Sequence, residues 1–204
     1  MGMLGKVTPQ GKLQAKKISP PRAPITWYLR NWSRWPAIKG LIAFWVTRPI
    51  ARWFGLAIMI GKLEAVLIRV DGSRVNYGIL GYRVVTTAFV NFVVDQLQAE
   101  TSEFGDFKFH DSGVGVTAAN ITDTDIETTD GESRATGTQT EDDADDYQSV
   151  GTISYTTTKA ITEHILASQA TGGTAMDRTV FTAINVVNGD SIQFTYTINI
   201  PAGS

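Results

Sequence analysis

The chain has 204 residues, 43% of them hydrophobic and 19% charged, which suits one sizeable folded domain with an appendage and argues against wholesale disorder. Cysteine is absent, so disulfides, thiol chemistry and thiolate metal sites are excluded together, and stability has to come from core burial or assembly. The net charge of -2 conceals a partition: residues 1–62 hold eleven basic side chains and no acidic one, whereas residues 63–204 hold the other seven basic and all 20 acidic residues, a balance of -13. Charge asymmetry of this size marks two physical roles, and the boundary is drawn between residues 62 and 63, separating a basic Trp-rich arm from a C-terminal domain.

Residues 1–26 are rich in Lys, Pro and Gly, with Pro9, Pro20, Pro21 and Pro24 and little apolar periodicity. Such a segment buries too little surface to offset its ordering entropy and is expected to be extended or disordered on its own. Residues 27–60 carry all five tryptophans among aliphatic residues, interrupted by Arg30, Arg34, Lys39, Arg48 and Arg52. Pro36 and Pro49 favour short helical pieces over one long helix. A membrane span over residues 38–61 would place Arg48 and Arg52 near mid-bilayer, at about 2.5–3.5 kcal/mol each, and is disfavoured. A cleaved signal peptide fits less well, because the apolar region starts late and lacks a small-residue cleavage site. An interfacial membrane anchor is the alternative, with Trp at the headgroup level. The preferred expectation is a docking arm on a protein surface or close to nucleic acid, its lack of acids suiting an acidic partner, with Trp27, Arg30, Trp32, Arg34, Trp35, Trp45, Arg48, Arg52 and Trp53 as its partner-binding residues. Covering one end of the chain's own β domain is the plainer possibility.

From Leu63 the pattern alternates with period 2. Leu63–Val70 reads as a strand, Asp71-Gly72 as a tight turn and Val75–Leu80 as the return strand. Between Val84 and Gln98 the apolar residues Val85, Ala88, Phe89, Phe92, Val93 and Leu97 recur at three- and four-residue spacing, which predicts an amphipathic helix capped by Thr86 or Thr87. Further on, Phe107–Phe109, Ser149–Thr158, Ile161–Leu166, Val180–Val187 and Ser191–Ile200 read as strands, the last two flanking Asn188-Gly189-Asp190 as a hairpin. The fold class is therefore mainly β: a β-sandwich or jelly-roll-like domain with one helix, preceded by an extended and partly helical arm. Asn120–Asp146, with ten acidic residues, reads as a solvated loop; a calcium loop would need an Asp-x-Asp-x-Asp-Gly register and a downstream Glu that it lacks.

Little in the sequence carries catalysis. It has no Gly-x-Ser-x-Gly elbow, no His-Glu-x-x-His and no Walker lysine loop, and Gly113-Val114-Gly115 lacks the third glycine and the following helix of a nucleotide cradle. The two histidines each adjoin an acid, as His110-Asp111 and Glu163-His164. Adjacent residues on a strand face opposite sides, so neither pair makes a site by itself and structural hydrogen bonding is expected of both. No cofactor and no metal is assigned. Arg134 and Asp177-Arg178 stand out in an Arg-poor region; surface positions are the first reading, inter-strand or inter-subunit ion pairs the second. A balance of -13 disfavours nucleic-acid recognition by the β domain.

The succession Arg83-Val84-Val85-Thr86-Thr87-Ala88, Phe107 to Thr117, Arg134-Ala135-Thr136-Gly137-Thr138, Ala160-Ile161-Thr162-Glu163-His164, Thr171-Gly172-Gly173-Thr174 with Asp177-Arg178, and Asn185 to Ile192 resembles virion structural proteins of tailed bacteriophages. That group comprises β-rich head-decoration and tail-associated proteins. The resemblance spans residues 80–200 and excludes the arm; it departs at Ile165-Leu166, where Gly-Leu-Phe is the pattern. It implies a non-enzymatic capsid decoration (cement) protein on the virion surface, present in host cytoplasm during assembly. Such a protein binds the major capsid protein, self-associates as a trimer and bridges neighbouring capsomers. A tail-fibre or tail-adaptor protein is the alternative it implies.

Overall fold

The computed structural model describes residues 59–98, 107–143 and 146–200. The elements run β1 (Ile60–Ile68), β2 (Arg74–Val85), α1 (Thr87–Gln98), β3 (Phe109–Gly113), β4 (Ala135–Thr136), β5 (Thr138–Asp143), β6 (Asp146–Ser154), β7 (Lys159–Ala167), β8 (Ala175–Val186) and β9 (Ser191–Asn199). The mainly-β expectation holds: two antiparallel sheets pack face to face as a β-sandwich, with one helix among the described residues. Sheet I has the order β2-β1-β9-β6-β5. Sheet II has the order β4-β3-β7-β8, and Val84-Val85 at the end of β2 pairs with Arg178 and Asp177 of β8.

Strands that change sheet join the two at both margins. On one side β2 leaves β1 for β8; on the other, β4 and β5 follow each other with Gly137 alone between them, β4 pairing in sheet II and β5 in sheet I. Corners of this kind let one stretch of chain serve both sheets and join them at their margins.

Period-2 alternation decides what lies between the sheets. Leu63, Ala65 and Leu67 of β1, Ile192 and Phe194 of β9, and Ile153 and Tyr155 on the β6 side meet Ile161 of β7 and Phe181, Ile184 and Val186 of β8. Each large aliphatic or aromatic side chain so buried contributes about 1.5–3 kcal/mol relative to exposure. A second cluster closes one end. There Phe89 and Phe92 of α1 stand edge-on to Phe107, with ring centroids 5.1 Å apart in each case, beside Met176, Tyr196 and Ile198. Thr86 is the helix cap: its Oγ1 accepts from the Phe89 N–H at 3.1 Å and donates to the Ala175 carbonyl at 2.6 Å.

Several expected boundaries shift. The helix begins at Thr87, because Val84 and Val85 are held in β2 by their pairing with β8. The sheet likewise reaches back across the charge boundary, since residues 60–62 are the first of β1. Phe107 packs under α1 and the strand after it starts at Phe109. The acidic stretch expected to be one solvated loop contains β4, β5 and the start of β6. The most instructive difference is at Asn188-Gly189-Asp190, expected as a hairpin. β8 pairs with β7 and β2, while β9 pairs with β1 and β6, so this turn carries the chain from one sheet to the other. Buried Asp190 fixes it there by accepting the N–H groups of Val70 and Val187, both at 3.0 Å, and by pairing with Arg69 at 2.6 Å. Burial opposes the Asp190 charge, but the Val187 N–H and Arg69 outweigh it and hold the carboxyl below its ordinary range.

Candidate functional site

The outer face of sheet II carries the densest concentration of buried charge among the described residues. β7 and β8 place Glu163 and Arg178 on that face, while the neighbouring His164 and Asp177 turn inward, as strand alternation requires. Arg178 is 3% exposed and Glu163 fully buried, so each needs the other. Arg178 Nε donates to Glu163 Oε2 at 2.8 Å, Nη1 to Asp123 at 2.9 Å, and Nη2 to Glu127 at 2.8 Å. Burial disfavours the guanidinium charge, yet the bonds to Asp123 and Glu163 outweigh it, and the group is held more firmly protonated than usual.

Glu163 is saturated as an acceptor. Oε1 takes the N–H groups of Gly115 and Thr128, both at 2.8 Å, and Oε2 takes the N–H of Glu127 at 3.0 Å besides Arg178. Four donors fill the four acceptor positions of a carboxylate, so this group fixes backbone and has no lone pair left for proton transfer. What it fixes is the segment of residues 114–130, which crosses the sheet and lays Ile126 on Phe109, Ile165, Ala167 and Ala175. Gly113 and Gly115 make the approach possible: a Cβ on Gly113 would lie 2.3 Å from the Thr128 carbonyl oxygen, and one on Gly115 2.4 Å from Glu163 Oε1. The glycine pair is therefore a seat for a carboxylate and a crossing chain.

Arg134 repeats the device nearer the margin. Its Nε donates to Asp111 at 2.8 Å, its Nη2 to Asp125 at 2.7 Å, and its Nη1 to the carbonyls of Gln169 and Gly172 at 3.0 and 2.6 Å. Desolvation raises the Asp111 carboxyl above its ordinary range despite the arginine. Glu132 binds Lys159 at 2.6 Å and Thr156, and these bonds lower its carboxyl. The surface reading of Arg134 and Arg178 is thus corrected: both are buried and paired, because seven basic residues serve a domain crowded with acids. Sequence reasoning missed Glu163 as the organising group. The signal present was the alternating Asp123, Asp125 and Glu127, which needed a cation across the sheet to be understood.

Above Arg178 the crossing segment encloses a shallow cleft of about 320 Å³, bounded by Thr117, Thr122, Asp123, Asp125, Ile126 and Glu127. Its acids already hold the arginines. Among the described residues no group of three or more histidine or acidic side chains is arranged to hold a metal ion, and no helix is long and apolar enough to cross a membrane.

His110-Asp111 and Glu163-His164 divide as expected, the acids outward and the imidazoles inward. The nine partner-binding positions expected in the arm, from Trp27 to Trp53, lie outside the described residues. No family model, curated protein or solved structure matches the chain, so the functional reading rests on its own chemistry.

Proposed function

We propose that the chain is a structural attachment protein, a rigid β-sandwich head carried on a basic, Trp-rich arm that docks on an acidic protein surface. The observation that carries this reading is the charge partition, eleven basic and no acidic residues before residue 63 against a balance of -13 after it. An arm of that composition is repelled by nothing on an acidic partner and brings aromatic and guanidinium anchors to it. The saturated bonding of Glu163 and Arg178 supports the reading from the other side, because those groups serve to hold a loop in one shape. In its finer form the head is a capsid decoration protein of a tailed bacteriophage, trimeric on the outer shell, bridging capsomers through the arm. A tail-adaptor role is the second form.

A chain beginning at Met59, which keeps β1 whole and retains the packing of Met59 beside α1, is expected to fold and to lose particle binding. Retained binding by that truncated chain would refute the docking role. In a purified particle, quantitative mass spectrometry is expected to give about one copy per shell subunit, and a few per cent instead would move the chain to the tail. Flotation of the full chain with anionic liposomes would transfer the arm's role to a membrane surface.

A further inference from the structure

The inner face of the same strands holds a second polar cluster, and this one crosses between the sheets. His110 of β3 and His164 of β7 are fully buried, with His110 Nδ1 3.0 Å from His164 Nε2. His110 Nε2 lies 2.9 Å from Ser149 Oγ on β6, in the opposite sheet. Space for the ring comes from two glycines, Gly151 of β6 and Gly137 at the β4–β5 corner: a Cβ on Gly151 would lie 2.3 Å from His110 Cδ2, and one on Gly137 2.7 Å from His110 Nε2. His164 stacks at a tilt on Phe194 of β9, with ring centroids 4.4 Å apart. An imidazole that needs two glycines opposite it is built into the seam between the sheets.

We propose that the His110–His164 pair is an acid-sensitive latch between the two sheets. A bond between two imidazole nitrogens requires one N–H and one lone pair. One added proton is compatible with it, since His110 can then donate both to His164 and to Ser149. With a second proton both facing atoms are N–H donors, and two like charges meet at fully buried positions. The titratable groups that the described residues place around the pair offset one such charge and not two. Asp177 of β8, opposite Leu166, is the carboxyl on the inner face of these strands and can balance one imidazolium. The other inward groups are the phenols of Tyr196 on β9, Tyr147 on β6, Tyr77 on β2 and Tyr155, the last raised far above its ordinary range by burial. Asp130 reaches only as far as Ser112, and Asp111 and Glu163 are committed to Arg134 and Arg178 on the outer face.

The folded chain therefore admits at most one added proton where the unfolded chain, with free imidazoles titrating near pH ~6.5, takes two. Stability from this source is present above that pH and is lost as the pH falls, by about tenfold in the unfolding constant per pH unit for each proton withheld.

The chain has only two histidines, so acidification between pH 7.5 and 5.5 addresses this pair almost alone. Urea unfolding of the full chain is expected to give an unfolding constant about tenfold or more larger at pH 5.5 than at pH 7.5. The doubly substituted chain, His110→Gln with His164→Gln, is expected to show a flat profile over that interval. A change below about threefold in the natural chain, or the same rise in the double variant, overturns the latch. Should the double variant fail to fold, calorimetric proton uptake on unfolding the natural chain at pH 5.5 decides the matter. Uptake of about one to two protons is expected, and none would overturn the proposal.

Discussion

The outer faces of the two sheets are built from the same kind of alternating strand and end in opposite conditions. Sheet II is closed beneath a crossing segment, with Arg178, Glu163 and Arg134 buried as the fasteners and Ile126 pressed on its apolar residues. Sheet I presents Glu64, Val66, Val150, Thr152, Gln193 and Thr195 at partial or full exposure, with Lys62 and Glu64 pairing at 3.0 Å as its charged couple. The difference shows what a buried charge is for in this molecule. A cation on a sheet face, given acids in the loop above it, turns that loop into a fixed layer; the outer face of sheet I, mostly neutral with one half-exposed ion pair, carries no such layer among the described residues.

The comparison can be broken most directly at Arg178. Substitution Arg178→Ala leaves Glu163 in the interior with its three backbone donors but without its counter-charge. The expected loss is about 3 kcal/mol, the lower end of the cost of breaking a buried pair, measured by denaturant unfolding. A loss below about 1 kcal/mol would mean that the crossing segment is held by its apolar contacts and not by charge.

Acid should act on the closed face second. The bond to Lys159 holds the Glu132 carboxyl low, and Thr117 does the same for Glu127. For both, the support is complete above the unfolded carboxylate range near pH ~4.3 and is lost as the pH falls through the lower folded value. Asp111, raised by burial, works in the opposite sense: its ionisation costs stability as the pH rises through its folded value. Melting temperature followed from pH 5 to 3 is therefore expected to fall, and Lys159→Met is expected to lower it at pH 5 and to make the fall shallower. An unmoved profile would remove Glu132 from the fastening.

The smallest effect belongs to the open face. Thr195 sits between Glu64 and Val150 in register, so Thr195→Lys gains an opposite charge and displaces nothing. The stability change is expected to stay within about 0.5 kcal/mol. Under the proposed attachment role, a loss of particle binding in this folded variant would sharpen the contrast, by making this face a contact surface.

How far all this could be seen in the sequence varied with the range of the interaction. The β1–β2 hairpin around Asp71-Gly72, the Thr86 cap and the helix that follows were legible, because turn chemistry and periodicity act within a few residues. Asn188-Gly189-Asp190 gave the reversal but not the partner strands, since a turn dipeptide fixes the direction of the chain and leaves its pairing to the core. The acidic run was legible as composition only. Its members became ligands of Arg178 and Arg134 through contacts up to 55 residues apart.

By itself, then, the sequence determined the mainly β class, the amphipathic helix after β2, the basic N-terminal composition set against an acidic remainder, and the division of each His-acid pair between two faces. Each of those follows from local sterics, from side-chain period or from counting charges. Tertiary structure alone decided that His110 and His164 meet inside, that Glu163 gathers three backbone amides and an arginine outside, and that among the described residues a crossing segment covers one sheet and not the other. Those outcomes depend on which strands lie side by side, and strand pairing is settled by burial summed over the whole sandwich.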